Sequence, residues 1–325
     1  MRRRLNLHNN MKLKSLLASV CLVAALCNAY AQDEDPVKAY CDSASTCLQN
    51  FQFNEAIDYF EIAYQLDEDN GNNNIAVAAN LAILLFEQCR YDEALKYLQL
   101  VALSEDVDQQ GWAASMQENV STISNYMPHE VNLAAIEERL DNDEGEYAEL
   151  KNRFLAGDLT LSYEEMFLLY YGSGFMGFHT DDSDVASINE LIEQGMLAEA
   201  YSAGIRMLEN NNPFSISLTC NMYRQALTEE DENYAEILRK RLNMLYGTVL
   251  GTGMGFTADI PTWVMSLSDV DGLLDLYGNA GIYTRVPYIT EAEGEMEKVL
   301  FYAGEGPKQR FFCEELAYRY QNSNE

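Results

Sequence analysis

The residues of this chain best placed to do chemistry are His179, Asp181, Asp182 and Asp184, in the run F-H-T-D-D-S-D. A histidine among carboxylates can hold a cation or exchange protons, provided the groups converge on one point. The same residues stand directly before a helix-forming stretch. There Asp and Ser serve first as caps, accepting from free backbone N–H groups and facing the positive end of the helix dipole. Capping is therefore the leading reading, and a cation site at His179, Asp181 and Asp182 is the alternative. The other histidine of the folded part, His129, is distant in sequence, and no cysteine pair has zinc-ligand spacing. The acidic runs at Asp67 and Asp141 lack the Gly-6 and Glu-12 of a calcium loop. There is no G-x-S-x-G; Ser173 sits in Y-Y-G-S-G. Cys220 and Cys313 lack a nearby arrangement of basic residues that would suggest a thiolate. No catalytic constellation emerges, and no cofactor is expected.

Gly251-x-Gly253-x-Gly255 has the spacing of a phosphate-binding loop. Such a loop needs a strand before it and a helix after it. Here a helix precedes and a strand-like run follows, so the glycines read as a tight turn with positive φ. Trp263 with Phe167, Tyr170 and Tyr171 could present rings for sugar stacking; core packing is the plainer use for them.

The chain has 325 residues, 48% of them hydrophobic, enough to bury a substantial core. Lys12 and Lys14, the apolar run Leu16–Leu26 and the small residues of Ala29-Tyr30-Ala31 form an export signal, with the cut expected before Gln32. Translation is expected to start at Met11. Neither Cys21 nor Cys27 follows the small residue a lipid-attachment signal wants. Removing 1–31, which holds five basic residues and no acidic one, takes the formal charge from −31 to −36. Such a surface repels nucleic acid and anionic lipid. No later stretch is apolar and long enough to span a bilayer. The five remaining cysteines are odd in number and scattered, so they form no disulfide framework. They read as buried small side chains, with a Cys47–Cys89 bridge as the alternative.

The elements follow from periodicity. F-N-E-A-I-D-Y-F-E-I-A at Phe53–Ala63 and Y-D-E-A-L-K-Y-L-Q-L-V at Tyr91–Val101 repeat 38 residues apart. A small Ala and an apolar residue four later let one helix pack closely on another. Helices are expected at Tyr40–Gln49, Asn54–Leu66, Ile75–Gln88 and Tyr91–Leu103, with a turn over Asp67–Asn74. Asp108 is the expected cap of a further helix carrying Trp112, Met116, Val120 and Ile123 on one face. Ala56-x3-Phe60 and the Leu81, Ala82, Leu85 set resemble the tetratricopeptide repeat. That resemblance implies helical hairpins, a protein or peptide partner, and a concave groove lined by first helices. It places Leu48, Gln49, Ile83, Phe86 and Glu87 in the groove. With no lysine there, an apolar or cationic segment is the expected occupant.

Residues 128–150 read as an acidic helical linker. Beyond it, helices are expected near Ser187–Gln194, Met196–Glu209 and Asn233–Leu245, with a repeat-like texture at Gly195–Ala200. Glu236–Arg241 is a small basic island expected to make salt bridges. Thr262–Asp269, Gly281–Ile289 and Lys298–Ala303 read as strands, and Phe311–Tyr320 as strand or helix. L-T-L-S-Y-E-E-M-F-L-L-Y-Y-G, the middle hairpins and G-T-G-M-G-F-T-A-D-I-P-T-W-V-M-S-L-S-D together resemble the domain of unknown function 4919, a family of secreted proteins common in Bacteroidetes. The resemblance spans about 145–320. It implies export from a Gram-negative cell, to the periplasm or beyond, and no activity. The expected fold is mostly α: repeat-like hairpins over 36–127, then a domain over 151–322 that is helical to 247 and closes on a small α+β part with a short antiparallel sheet. The functional expectation is an exported non-enzymatic interaction protein. A cation-dependent hydrolase or a glycan-binding module is the alternative.

Overall fold

A computed structural model describes residues 36–70, 74–124, 127–142, 144–178, 182–274, 283–288, 296–303 and 306–313. Five helices open it: α1 (Pro36–Gln49), α2 (Phe53–Asp69), α3 (Ile75–Glu87), α4 (Tyr91–Val101) and α5 (Val107–Ser124). Consecutive helices pack on one another. The alanines explain how closely: Ala56, Ala63, Ala78, Ala82 and Ala94 are fully buried, with Phe60, Leu81, Leu85 and Leu98 filling the space between. Helix α2 runs through Asp69, past the expected stop at Leu66. Glu68 and Asp69 take hydrogen bonds from the Gln65 amide at 3.3 and 3.1 Å, which holds that last turn together. The cap of α5 is Asp106, not Asp108: its carboxylate accepts from the N–H of Asp108 at 2.8 Å.

The acidic stretch after Pro128 forms α6 (Leu133–Asn142) and α7 (Glu144–Leu155). Ile136, Leu140, Tyr147, Leu150 and Phe154 of these helices are buried in the main core, so the stretch packs as part of the fold. Helix α8 (Tyr163–Tyr171) starts on a capping box between Ser162 and Glu165. Then come α9 (Asp182–Glu193), α10 (Leu197–Asn210), α11 (Ile216–Thr228) and α12 (Glu232–Leu250).

One turn recurs through the chain. Phe51, Cys89, Gly195 and Glu230 all have positive φ, at 57°, 58°, 74° and 59°. The residue after each donates back to close a left-handed helix end: Gln52 to Cys47, Arg90 to Leu85, Met196 to Leu191, Asp231 to Ala226. The fifth residue beyond each turn is a buried alanine: Ala56, Ala94, Ala200 and Ala235. The pairs α9–α10 and α11–α12 thus repeat the hairpin of α1–α2 and α3–α4. They pack in sequence around Leu208, Leu218, Met222 and Leu238. The repeat-like texture at Gly195–Ala200 is the trace of this. The basic island on α12 is paired as expected: Arg239 with Glu236 at 2.7 Å and Arg241 with Glu209 at 3.0 Å.

The last part holds β1 (Thr262–Trp263), α13 (Asp269–Leu274), β2 (Tyr283–Tyr288), β3 (Met296–Ala303) and β4 (Gly306–Cys313). The sheet order is β1-β4-β3-β2. The β2–β3 and β3–β4 pairs are antiparallel, but β1 runs parallel to β4, so the sheet is mixed. Thr262–Asp269 is not one strand. Pairing stops after Trp263; Ser266 then turns the chain by accepting from Ser268 N at 3.1 Å, and a helix begins at Asp269.

Candidate functional site

The inner face of the first repeat pair is built by α1 and α3. Leu48, Ile83, Phe86 and Glu87 are buried, and Gln49 is exposed. The open groove expected at these positions is filled by the chain's own C-terminal part. Phe256 packs edge-on to Phe86 with ring centroids 5.6 Å apart. The Lys308 ammonium lies 2.6 Å from Oε1 of Glu87, and their side chains are only 5% and 3% exposed. The Arg310 guanidinium stacks over Phe256 at 4.3 Å from the ring centre. Strand β4 also touches α1.

The glycine loop delivers these groups. Gly251 leaves no room for a side chain against Tyr163, nor Gly253 against the Pro261 carbonyl. Gly255 alone has positive φ, 67°, and its carbonyl accepts from Phe311 N at 2.8 Å. Its own N–H is bonded to the Ile260 carbonyl. The loop is a close-packed joint that sets Phe256 beside β4, with its backbone engaged internally.

A second cluster joins the two stretches that carry the domain resemblance. The Tyr170 hydroxyl donates to Oδ2 of Asp269 at 3.1 Å and accepts from Met265 N at 3.1 Å. Oδ1 of Asp269 accepts from Ile216 N at 2.7 Å, Ser217 N at 3.2 Å and the Ser215 hydroxyl at 3.2 Å. Asp269 therefore satisfies the free N–H groups at the start of α11. Burial pushes its carboxyl up to about 6, against the pull of these hydrogen bonds. Beside it is a cavity of about 10 Å³, the room of one water, lined by Ser173, Asn212, Ser266 and Ser268 among others. The cluster is a structural joint between α8, α11 and α13.

His179 and Asp181 fall outside the described residues, and Asp182 is described only as the backbone start of α9. Among the described residues no group of three His, Cys, Asp or Glu side chains could hold a metal ion. Tyr170 and Tyr171 are buried, and the Tyr171 hydroxyl donates to the Trp263 carbonyl at 2.9 Å; Phe167 and Trp263 are half-buried. Cys47 and Cys89 are thiols. Cys89 accepts from the Tyr91 hydroxyl at 3.3 Å, and burial raises its pKa.

Sequence reasoning missed Lys308, Phe256 and the partners of Asp269. The one available signal was K-Q-R at Lys308–Arg310, a pair of cations in an acidic chain on an otherwise apolar strand.

Among the described residues no helix is long and apolar enough to cross a membrane. No curated protein matches the chain. Two families match parts of it: the tetratricopeptide repeat over residues 35–101, and a domain of unknown function (DUF4919) over residues 134–281. The repeat match covers α1 to α4, whose stacked hairpins are the form in which such repeats bind other proteins. The second match begins inside the stretch expected as a linker and takes in α6 to α13. The chain thus carries a tetratricopeptide repeat region followed by a DUF4919 domain.

Proposed function

We propose that this is an exported, non-enzymatic interaction protein that holds an extended polypeptide segment against its first repeat pair. The observation that supports this is the state of the inner face. Helices α1 and α3 present apolar side chains and one buried carboxylate, Glu87, and they already engage a strand bearing a lysine. A face of that chemistry fits an apolar segment with a single cation. Export rests on the basic, apolar and small residues of 12–31.

The test is site-specific photo-crosslinking in the producing cell. A photoreactive residue at Gln49 sits exposed at the end of the inner helix α1; one at Asp92 sits exposed on the outer helix α4. Distinct partner bands from Gln49, recovered in the envelope fraction, support the reading. The same bands from both positions, or protein found only in the cytoplasm, defeat it.

A further inference from the structure

Two buried acceptors at the joint of α8, α11 and α13 have capacity left over. Oδ1 of Asp269 takes three hydrogen bonds, from Ile216 N, Ser217 N and the Ser215 hydroxyl. Oδ2 takes one, from the Tyr170 hydroxyl at 3.1 Å. Each oxygen of a carboxylate offers about two lone-pair sites, so Oδ2 can accept once more. The Ser173 hydroxyl, just past the end of α8, donates to the Tyr170 carbonyl at 2.6 Å. Among the described residues its oxygen accepts nothing in return, although a hydroxyl oxygen has two lone pairs. Ser173 is 2% and Asp269 3% exposed, so bulk water does not make up the difference. Both line the cavity of about 10 Å³, and Asn212, Ser266 and Ser268 add further polar groups to its wall.

An apolar cavity of that size stays dry, whereas one with two to four polar partners holds a water. Water suits two acceptors, because its single oxygen carries two hydrogens. A cation does not suit them: the first N–H groups of α11 already turn the positive end of a helix dipole toward Asp269. We propose that this cavity is a binding site for one water molecule, which donates to Oδ2 of Asp269 and to Oγ of Ser173. The water ties the end of α8 to the start of α13. It gives a shared purpose to the serine of Y-Y-G-S-G and the aspartate of S-L-S-D, which lie far apart in the chain. Its hydrogen bond favours the charged carboxylate and so works against burial.

Diffraction from crystals of the full chain and the titration of Asp269 test this together. Electron density for one water is expected within hydrogen-bond distance of both oxygens. A dry cavity overturns the proposal. So do several oxygen contacts too short for hydrogen bonds, since a cation would then be the occupant. The titration is followed by NMR of the carbon-13-labelled Asp269 carboxyl in wild type, Ser173→Ala and Ser173→Val. Alanine leaves room for the water on Oδ2; valine fills the cavity and displaces it. Tyr170 is the titratable side chain bonded to Asp269, and burial holds its phenol well above its usual range, so it stays neutral throughout. The midpoint should barely move in Ser173→Ala and rise by roughly one pH unit in Ser173→Val, where the charged form has lost a donor. Equal midpoints in the two variants overturn the proposal. Where Ser173→Val does not fold, the density in wild type decides alone.

Discussion

The hydroxyl of Tyr170, at the end of α8, donates to the carboxylate of Asp269 across 99 residues of sequence at 3.1 Å. Both groups are buried, and the same carboxylate caps α11 through the N–H groups of Ile216 and Ser217. One side chain therefore holds three helices in place. Its titration should be visible in the stability of the whole domain.

The folded-state pKa of Asp269 is raised from 3.8 to about 6. The native state thus binds this proton more tightly than the unfolded chain does. The stabilisation is fully present below the unfolded value near 3.8 and is lost as pH rises through about 6. The loss from this group is about 3 kcal/mol. Asp269→Asn keeps a carbonyl for α11 and removes the titration. Urea midpoints of wild type and Asp269→Asn, taken at several pH values from 4 to 7, should differ in slope, with the variant flatter. Equal slopes would show that the hydrogen bonds outweigh burial at this carboxylate.

Two glycines open to solvent should respond to alanine in opposite directions. Neither has a neighbour within 4 Å of an added Cβ, so only backbone conformation is at issue. Gly111 lies inside α5, where alanine gains about 0.5–1 kcal/mol. Gly195 has φ of 74° at the α9–α10 turn, where alanine loses about 1–2 kcal/mol. Thermal midpoints of Gly111→Ala above wild type and Gly195→Ala below it are the expected outcome.

The glycine loop gives a sharper prediction. A Cβ on Gly253 would lie 2.2 Å from the Pro261 carbonyl oxygen, a backbone atom that cannot swing aside. Gly253→Ala should cost about 1–3 kcal/mol through overpacking. It should also loosen β1, because the Gly253 carbonyl accepts from the Thr262 hydroxyl at 2.8 Å. Near-ultraviolet circular dichroism at Trp263 would report that loosening. An unchanged melt and spectrum would refute the joint assigned to this loop.

How much of this was legible in the residues depends on range. The hairpins were, because Ala56-x3-Phe60 and Ala94-x3-Leu98 write close helix packing into a local pattern. The second hairpin pair was half legible: Ala200 after Gly195 shows, but Glu230 ahead of Ala235 does not, since nothing about a glutamate announces positive φ. The expected strand at Thr262–Asp269 was wrong past Trp263 because its β-formers are held by distant partners. Met265 N goes to the Tyr170 hydroxyl, and Asp269 serves α11. The groove was expected at Leu48, Gln49, Ile83, Phe86 and Glu87; of these, Phe86 and Glu87 meet the C-terminal part. What covers them came from about 170 and 220 residues away, and no period links Phe86 to Phe256 or Glu87 to Lys308.

That last pair can be weighed directly. Glu87→Gln leaves a buried ammonium facing a neutral amide, and Lys308→Met leaves a buried carboxylate facing a thioether. Removing one partner of a buried pair costs about 3–5 kcal/mol, because the other charge remains desolvated without compensation. Each single variant should therefore unfold at clearly lower urea than wild type. With both changes no charge is left in the site, and much of the loss should return, giving a coupling energy well above the 0.3–0.5 kcal/mol expected of independent sites. Additive losses would mean that Lys308 and Glu87 do not meet in solution. The α3–β4 contact would then fall.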